Sequence, residues 1–128
     1  MKLLVLYAHP RSTTSVVQRA MLKAIAGLEG VTVADLYAEY PNLDIDVERE
    51  QQRLLDHEVV VLQHPFYWYS SPAILKEWQD LVLENGWAYG PGGTKLAGRF
   101  LISAVSTGGG ESAYHRLNAR QRDTGAKA

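Results

Sequence analysis

Apolar runs and stretches of helical spacing alternate along this chain. Residues 2–8 carry Leu3, Leu4, Val5, Leu6 and Ala8 with no charge after Lys2, the pattern of a strand buried on both faces. A polar loop follows over residues 9–14. Ser15 with Gln18 three places on forms a capping-box pattern. Val17, Met21, Ala24, Ile25 and Leu28 then mark one helical face, and Gly30 stops it. Residues 31–36 predict a second strand and 37–45 an irregular link around Pro41. Residues 46–57 predict a charged helix bearing Val47, Leu54 and Leu55. Residues 58–64, with Val59, Val60, Val61 and Leu62, predict a third buried strand. Ser71 and Pro72 supply an N-cap and a first-turn proline. Ile74, Leu75, Trp78, Leu81 and Val82 recur at helical spacing up to Gly86. A turn-rich loop at 90–93 precedes a fourth strand at 100–105.

Strands alternating with helices of about 10–15 residues predict an α/β fold with a parallel sheet covered on both faces. Right-handed crossovers leave few topologies. The pattern changes at residues 116–128, where Arg116, Arg120, Arg122 and Lys127 face Asp123 alone, and Leu117 is the one apolar residue besides alanines. Such a segment cannot bury enough surface to fold as a core element. One domain is therefore expected over residues 1–115, followed by an atypical polar, basic tail.

Composition narrows the function classes. A chain of 128 residues suits one core. The net charge of -1 offers no electrostatic footprint for nucleic acid. The absence of cysteine excludes thiol catalysis, disulfides and cysteine-ligated metal, and suits a reducing cytosol. The apolar N-terminus is too short for a signal peptide or for a spanning helix of about 20 residues, so a cytoplasmic protein is expected.

In an open parallel sheet, ligands bind beyond the carboxyl ends of the strands. Loops at 9–15, 65–71 and 106–112 lie there. The first holds Ser12, Thr13, Thr14 and Ser15 at a helix start, where free N–H groups and the helix dipole suit a phosphate; simple capping by Ser15 is the alternative. His9 adds a donor. The second holds four consecutive aromatics, Phe66, Tyr67, Trp68 and Tyr69, which would stack on a planar cofactor or else cap the core or an interface. In the third, Gly108, Gly109 and Gly110 follow Ser106 and Thr107; glycines permit conformations closed to other residues and a close approach to the main chain. Together the loops point to a flavin mononucleotide. There is no G-x-G-x-x-G, Walker pattern or G-x-S-x-G elbow. A receiver-type domain would need an aspartate ending the third strand, where Gln63-His64-Pro65 stands.

Five motifs in this order, Tyr7-Ala8-His9-Pro10, Gln63-His64-Pro65, Trp68-Tyr69, Gly86-Trp87-Ala88-Tyr89-Gly90 and Thr107-Gly108-Gly109-Gly110-Glu111, carry a family resemblance. They resemble the flavodoxin-like NAD(P)H–quinone oxidoreductases, and within them the ancillary subunits of glutathione-gated potassium–proton antiporters. The resemblance implies a flavodoxin-like, doubly wound, three-layer α/β/α fold binding FMN, or alternatively FAD. It places His9, Ser15, Val16, Val17 and Gln18 at the flavin phosphate. Phe66, Tyr67, Trp68, Tyr69, Ser106, Thr107, Gly108 and Gly109 would surround its ring. Tyr114 matches a tyrosine that assists hydride transfer; the family's partner histidine has no counterpart, Arg120 standing near its place, which leaves His115 as the substitute. NAD(P)H and a quinone are the implied substrates. A homodimer and a potassium–proton antiporter are the implied partners, the latter at the cytoplasmic face of the inner membrane. Family members continue past Gly110-Glu111 into another helix, a fifth strand and a last helix, so the expected fold lacks that fifth strand and last helix. A non-catalytic docking subunit or an inactive truncated fragment are the alternative functions.

Overall fold

The N-terminal apolar run forms β1 (Leu3–Tyr7), buried over its last four residues. The computed structural model describes residues 1–114. Beyond β1 the chain forms a 3-10 turn (Ser12–Thr14), α1 (Val16–Ile25), β2 (Val31–Asp35) and α2 (Leu36–Glu39). Then come α3 (Val47–Leu55), β3 (Val59–Pro65), α4 (Ala73–Val82), β4 (Phe100–Ser106) and a second 3-10 turn (Glu111–Tyr114). His115 and the expected basic tail at 116–128 lie outside the described residues.

All strand pairs are parallel, in the order β2-β1-β3-β4. The chain steps from β1 outward to β2 and then returns past β1 to β3. The direction of winding therefore reverses between β1 and β3, which opens a crevice at the carboxyl edge there.

Register sorts the side chains into two faces. Leu4 and Leu6 share a face with Val60 and Leu62, and Val5 and Tyr7 lie with Val61 and Gln63 on the other. The first face packs with Ala34, Leu36, Leu54, Ile74, Leu75, Trp78 and Val82 into the main core. The other face receives α1. Here the expected helical face is corrected. Val17 is 54% exposed and Leu28 lies at the surface, while Gln18 is fully buried and Met21, Leu22 and Ile25 are half-buried. The inward stripe runs through positions 18, 21, 22 and 25, because a glutamine occupies a place that apolar spacing alone assigns to its neighbour.

Two further boundaries differ from expectation. The link at 37–45 begins inside a short helix, α2, whose start Asp35 caps by accepting the Ala38 N–H at 3.2 Å. Pro72, not Ser71, holds the N-cap place of α4, so the helix begins one residue later; Leu81, expected on its apolar face, is 39% exposed.

The charged helix α3 buries one carboxylate completely. Glu50 accepts from Tyr40 Oη at 2.6 Å, Trp78 Nε1 at 3.0 Å and Arg53 Nη1 at 2.7 Å. Burial first, and then the neighbouring Glu50, push the Tyr40 hydroxyl up to about 12. A buried charge is tolerated only when its oxygens are satisfied in this way. The cluster fastens α2, α3 and α4 together and leaves the carboxyl edge of the sheet to the loops.

Among the described residues β4 is the edge strand on its side. Phe100 and Leu101, pointing to opposite faces, are 66% and 67% exposed.

Candidate functional site

The first loop is built from the strand below it. Tyr7, fully buried, places its hydroxyl 2.8 Å from Ser12 Oγ. The 3-10 turn closes when the Thr14 N–H and Oγ1 both donate to the Arg11 carbonyl, at 3.1 and 3.0 Å. Ser15 is extended, and its Oγ accepts the Gln18 N–H at 3.2 Å. Only one first-turn N–H of α1 is used by this cap. Those of Val16 and Val17 have no intrahelical acceptor and point out of the helix start, where the dipole favours an anion. Arg19, which donates to the Thr13 carbonyl at 3.1 Å, borders with Thr13, Ser15, Val16 and Lys23 a depression of about 570 Å³ along the first turns of α1.

His9 Nδ1 accepts the Arg11 N–H at 2.9 Å, so the neutral ring carries its proton on Nε2. Burial lowers the His9 pKa and favours that neutral form. Its ring meets Tyr67 edge-on at 6.4 Å, which joins the first loop to the second.

The second loop is a tight hairpin turn. Tyr67 and Ser70 exchange backbone hydrogen bonds at 3.2 and 2.8 Å, and Trp68 and Tyr69 fill the two central places with φ of 47° and 60°. Two successive left-handed residues define the type I′ turn, which favours Asn-Gly because a Cβ is strained there. Trp68 is 94% exposed and Tyr69 82%, so neither fills the core.

Phe66 connects this turn to the third loop. Its N–H donates to the Ser106 carbonyl at 2.7 Å. Its ring meets Tyr69 at 5.7 Å and Tyr114 at 6.1 Å. Phe66, Trp68, Tyr69 and Tyr114 line a cleft of about 210 Å³.

The glycines of the third loop act differently from expectation. None of Gly108, Gly109 and Gly110 is left-handed. A Cβ on Gly109 would lie 3.2 Å from the Ala113 methyl and from the Tyr114 ring, so this glycine makes room for Tyr114. A Cβ on Gly108 would meet nothing within 4 Å, which leaves its backbone open to a ligand. Thr107 Oγ1 donates to the Gly109 carbonyl at 3.0 Å and shapes the turn.

The structure thus brings His9, Ser15, Val16 and Val17 to one end of the edge, and Phe66, Tyr69, Thr107 and Tyr114 to the other. Gln18 stands apart: its side chain points into the protein. Tyr7 and Gln63 stand in the motifs, yet their supporting contacts, to Ser12 and to Gln18, are not foreseen from them. Their signal is a polar group inside an otherwise apolar strand.

The arrangement fits a flavin nucleotide. Unpartnered helix N–H groups and a neutral histidine donor suit its phosphate, and the exposed aromatic faces and the open main chain of Gly108 suit a flat, polar-edged ring. Among the described residues no helix is long and apolar enough to cross a membrane.

Comparison with known proteins agrees with the strand order. The model of a family described as having the flavodoxin-like fold matches residues 1–126. The glutathione-regulated potassium-efflux system ancillary protein KefG of Escherichia coli is 57% identical over 121 residues, which cover 94% of this chain and 65% of that protein. A solved NADPH-quinone reductase from P. pentosaceus shares 36% identity at a TM-score of 0.80, over 90% of this chain and 65% of that one. General stress protein 14 of Treponema denticola, solved in complex with FMN, shares 39% identity at a TM-score of 0.80, over 90% and 67% of the two chains. The chain spans about two thirds of the length of the curated relatives, 66% and 65% for the two first matched. With the sheet order and the family match in accord, the chain belongs to the family of flavodoxin-like fold.

Proposed function

We propose that this chain is a flavoprotein that holds FMN along the carboxyl edge of its sheet and serves as an NAD(P)H–quinone oxidoreductase. Bound there, FMN would take reducing equivalents from NAD(P)H and pass them to a quinone. The observation that carries the proposal is the Trp68–Tyr69 turn, with two large aromatics held outward on strained backbone and lining a cleft with Phe66 and Tyr114. Strain of this kind persists where a site requires it. The solved FMN complex and the quinone reductase of the same fold support the cofactor and the substrate class.

The residues divide the work. Ser15 and the N–H groups of Val16 and Val17 hold the phosphate, with His9 Nε2–H as a further donor. Trp68 and Tyr69 stack against the ring, and the amides near Gly108 and Gly109 stabilise charge at its edge. Tyr114, half-exposed in the cleft, donates to the quinone oxygen or moves a proton there. An absorption spectrum of the purified protein with the visible bands of oxidised flavin, together with NAD(P)H consumption on addition of a quinone, is the expected result. A colourless protein that takes up no added FMN would refute the proposal.

KefG is named as an ancillary protein of a glutathione-regulated potassium-efflux system, and on that likeness we propose a second role alongside the first, that of a homodimeric subunit docked at the cytoplasmic surface of a potassium–proton antiporter. Co-purification with the antiporter from membranes, lost on salt washing, tests it.

A further inference from the structure

We infer that Gln18 and Gln63 form a buried tie that makes the start of α1 and the glycine loop after β4 move as one unit, with Gln18 as the positioning residue. The inference builds on the FMN proposal above, in that the two ends of the tie are the two ends of the proposed cofactor site.

Gln18 is fully buried and Gln63 nearly so, on the face of the sheet that α1 covers. Gln63 Nε2 donates to Gln18 Oε1 at 3.0 Å, with the Gln18 main-chain carbonyl 3.4 Å away. That bond fixes the orientation of the Gln18 amide, whose Nε2 donates to Ser106 Oγ at 2.7 Å. Donors and acceptors alternate along the whole line, so flipping either amide would set like groups face to face. Ser106, having accepted one bond, keeps its own proton for another acceptor.

Each end of the tie holds a part of the site. Gln18 is the residue whose N–H the Ser15 cap receives. Ser106 closes β4, carries the glycine loop on its carboxyl side, and accepts the Phe66 N–H on its carbonyl. One side chain therefore links the helix start to the residue from which both other loops are hung.

Two buried amides are a poor choice for stability alone. Apolar residues of the same size would pack there without hydrogen-bond constraints, whereas a half-satisfied amide pair is costly. The rest of α1 adds to the point: Met21, Leu22 and Ile25 are only half-buried, so its hold near the site is polar and directional. A tie of this kind sets position more than it adds stability.

Gln18→Met keeps the side-chain length and removes both bonds; Ser106→Ala removes one from the other end. Amide hydrogen exchange of the ligand-free protein should quicken at residues 107–109 in Gln18→Met and at 12–17 in Ser106→Ala, beyond the uniform quickening that a lowered urea midpoint accounts for, since Gln18→Met also leaves the buried Gln63 amide short of an acceptor. FMN affinity should fall roughly five- to tenfold in each variant, and no further in the double variant, as expected for two residues in one network. Unchanged exchange at the remote loop in both variants, or additive losses of affinity, would overturn the inference. If Gln18→Met does not fold, Ser106→Ala and its exchange at 12–17 decide the matter. If the parent binds no FMN yet the remote exchange quickens, the tie stands and the cofactor proposal falls.

Discussion

Trp68 and Tyr69 are consecutive residues that both adopt left-handed backbone, at φ of 47° and 60°, with their rings turned to solvent. Folding gains little from this pairing beyond the edge contact of Tyr69 with Phe66. Left-handed geometry costs a residue with a Cβ about 1–2 kcal/mol, and neither ring is buried in return.

Replacing the pair by the residues the turn prefers should separate stability from function. The double variant Trp68→Asn, Tyr69→Gly is expected to raise the stability of the ligand-free protein by about 1–2 kcal/mol in urea unfolding. FMN affinity should fall sharply in the same protein. A loss of stability would show that the rings support the fold.

Gly108 and Gly109 should respond differently to alanine. Gly109→Ala would place a Cβ against Ala113 and Tyr114 and should displace the tyrosine, whereas Gly108→Ala meets open space. Unfolding midpoints are expected to change little for Gly108→Ala, while FMN binding weakens. Full FMN affinity in that variant would mean that the ring lies elsewhere.

Tyr114 packs against Phe66 through its ring, so Tyr114→Phe keeps the packing and removes only the hydroxyl. Steady-state quinone reduction should slow by about 10–100-fold, with FMN affinity unchanged. An unaltered rate would make Tyr114 a wall of the cleft and no more.

Acid should weaken the cluster behind the core. The Arg53 guanidinium, 2.7 Å from Glu39, holds that carboxyl below the ordinary glutamate value of 4.5. A depressed carboxylate pKa means that the unfolded chain binds the proton more readily. The stabilisation is therefore complete above the unfolded value and is lost as pH falls through the folded one. Arg53→Gln should lower the urea midpoint at neutral pH, and its gap from the parent should narrow as pH drops below the ordinary glutamate value of 4.5. A constant gap would exclude the Glu39–Arg53 pair as its source.

How far the fold could be read from sequence depended on how local the signal was. β1 and β3 are legible because central parallel strands are buried on both faces and need continuous apolar residues. The face of α1 is not, since Gln18 takes an inward place that only its partners Gln63 and Ser106 explain. The burial of Glu50 is equally invisible, because Tyr40 and Trp78, which satisfy it, come from separate elements. Within the site, the Ser15 cap and the aromatic run could be identified in advance. The left-handed backbone under Trp68 and Tyr69 could not, since neither residue is a glycine or an asparagine. The assignment of Tyr114 came from family resemblance, and the structure adds its contact with Phe66.

Flavin binding with the phosphate at the start of α1 is the central claim, and a paired titration tests it most directly. The ligand-free chain is titrated first with FMN and then with riboflavin, which lacks the phosphate, while tryptophan fluorescence is followed. Saturable quenching at one FMN per chain is expected, with riboflavin binding at least tenfold more weakly, as the loss of charge-assisted bonds at the helix start requires. Equal affinity for the two, or no saturable quenching by FMN, would contradict it.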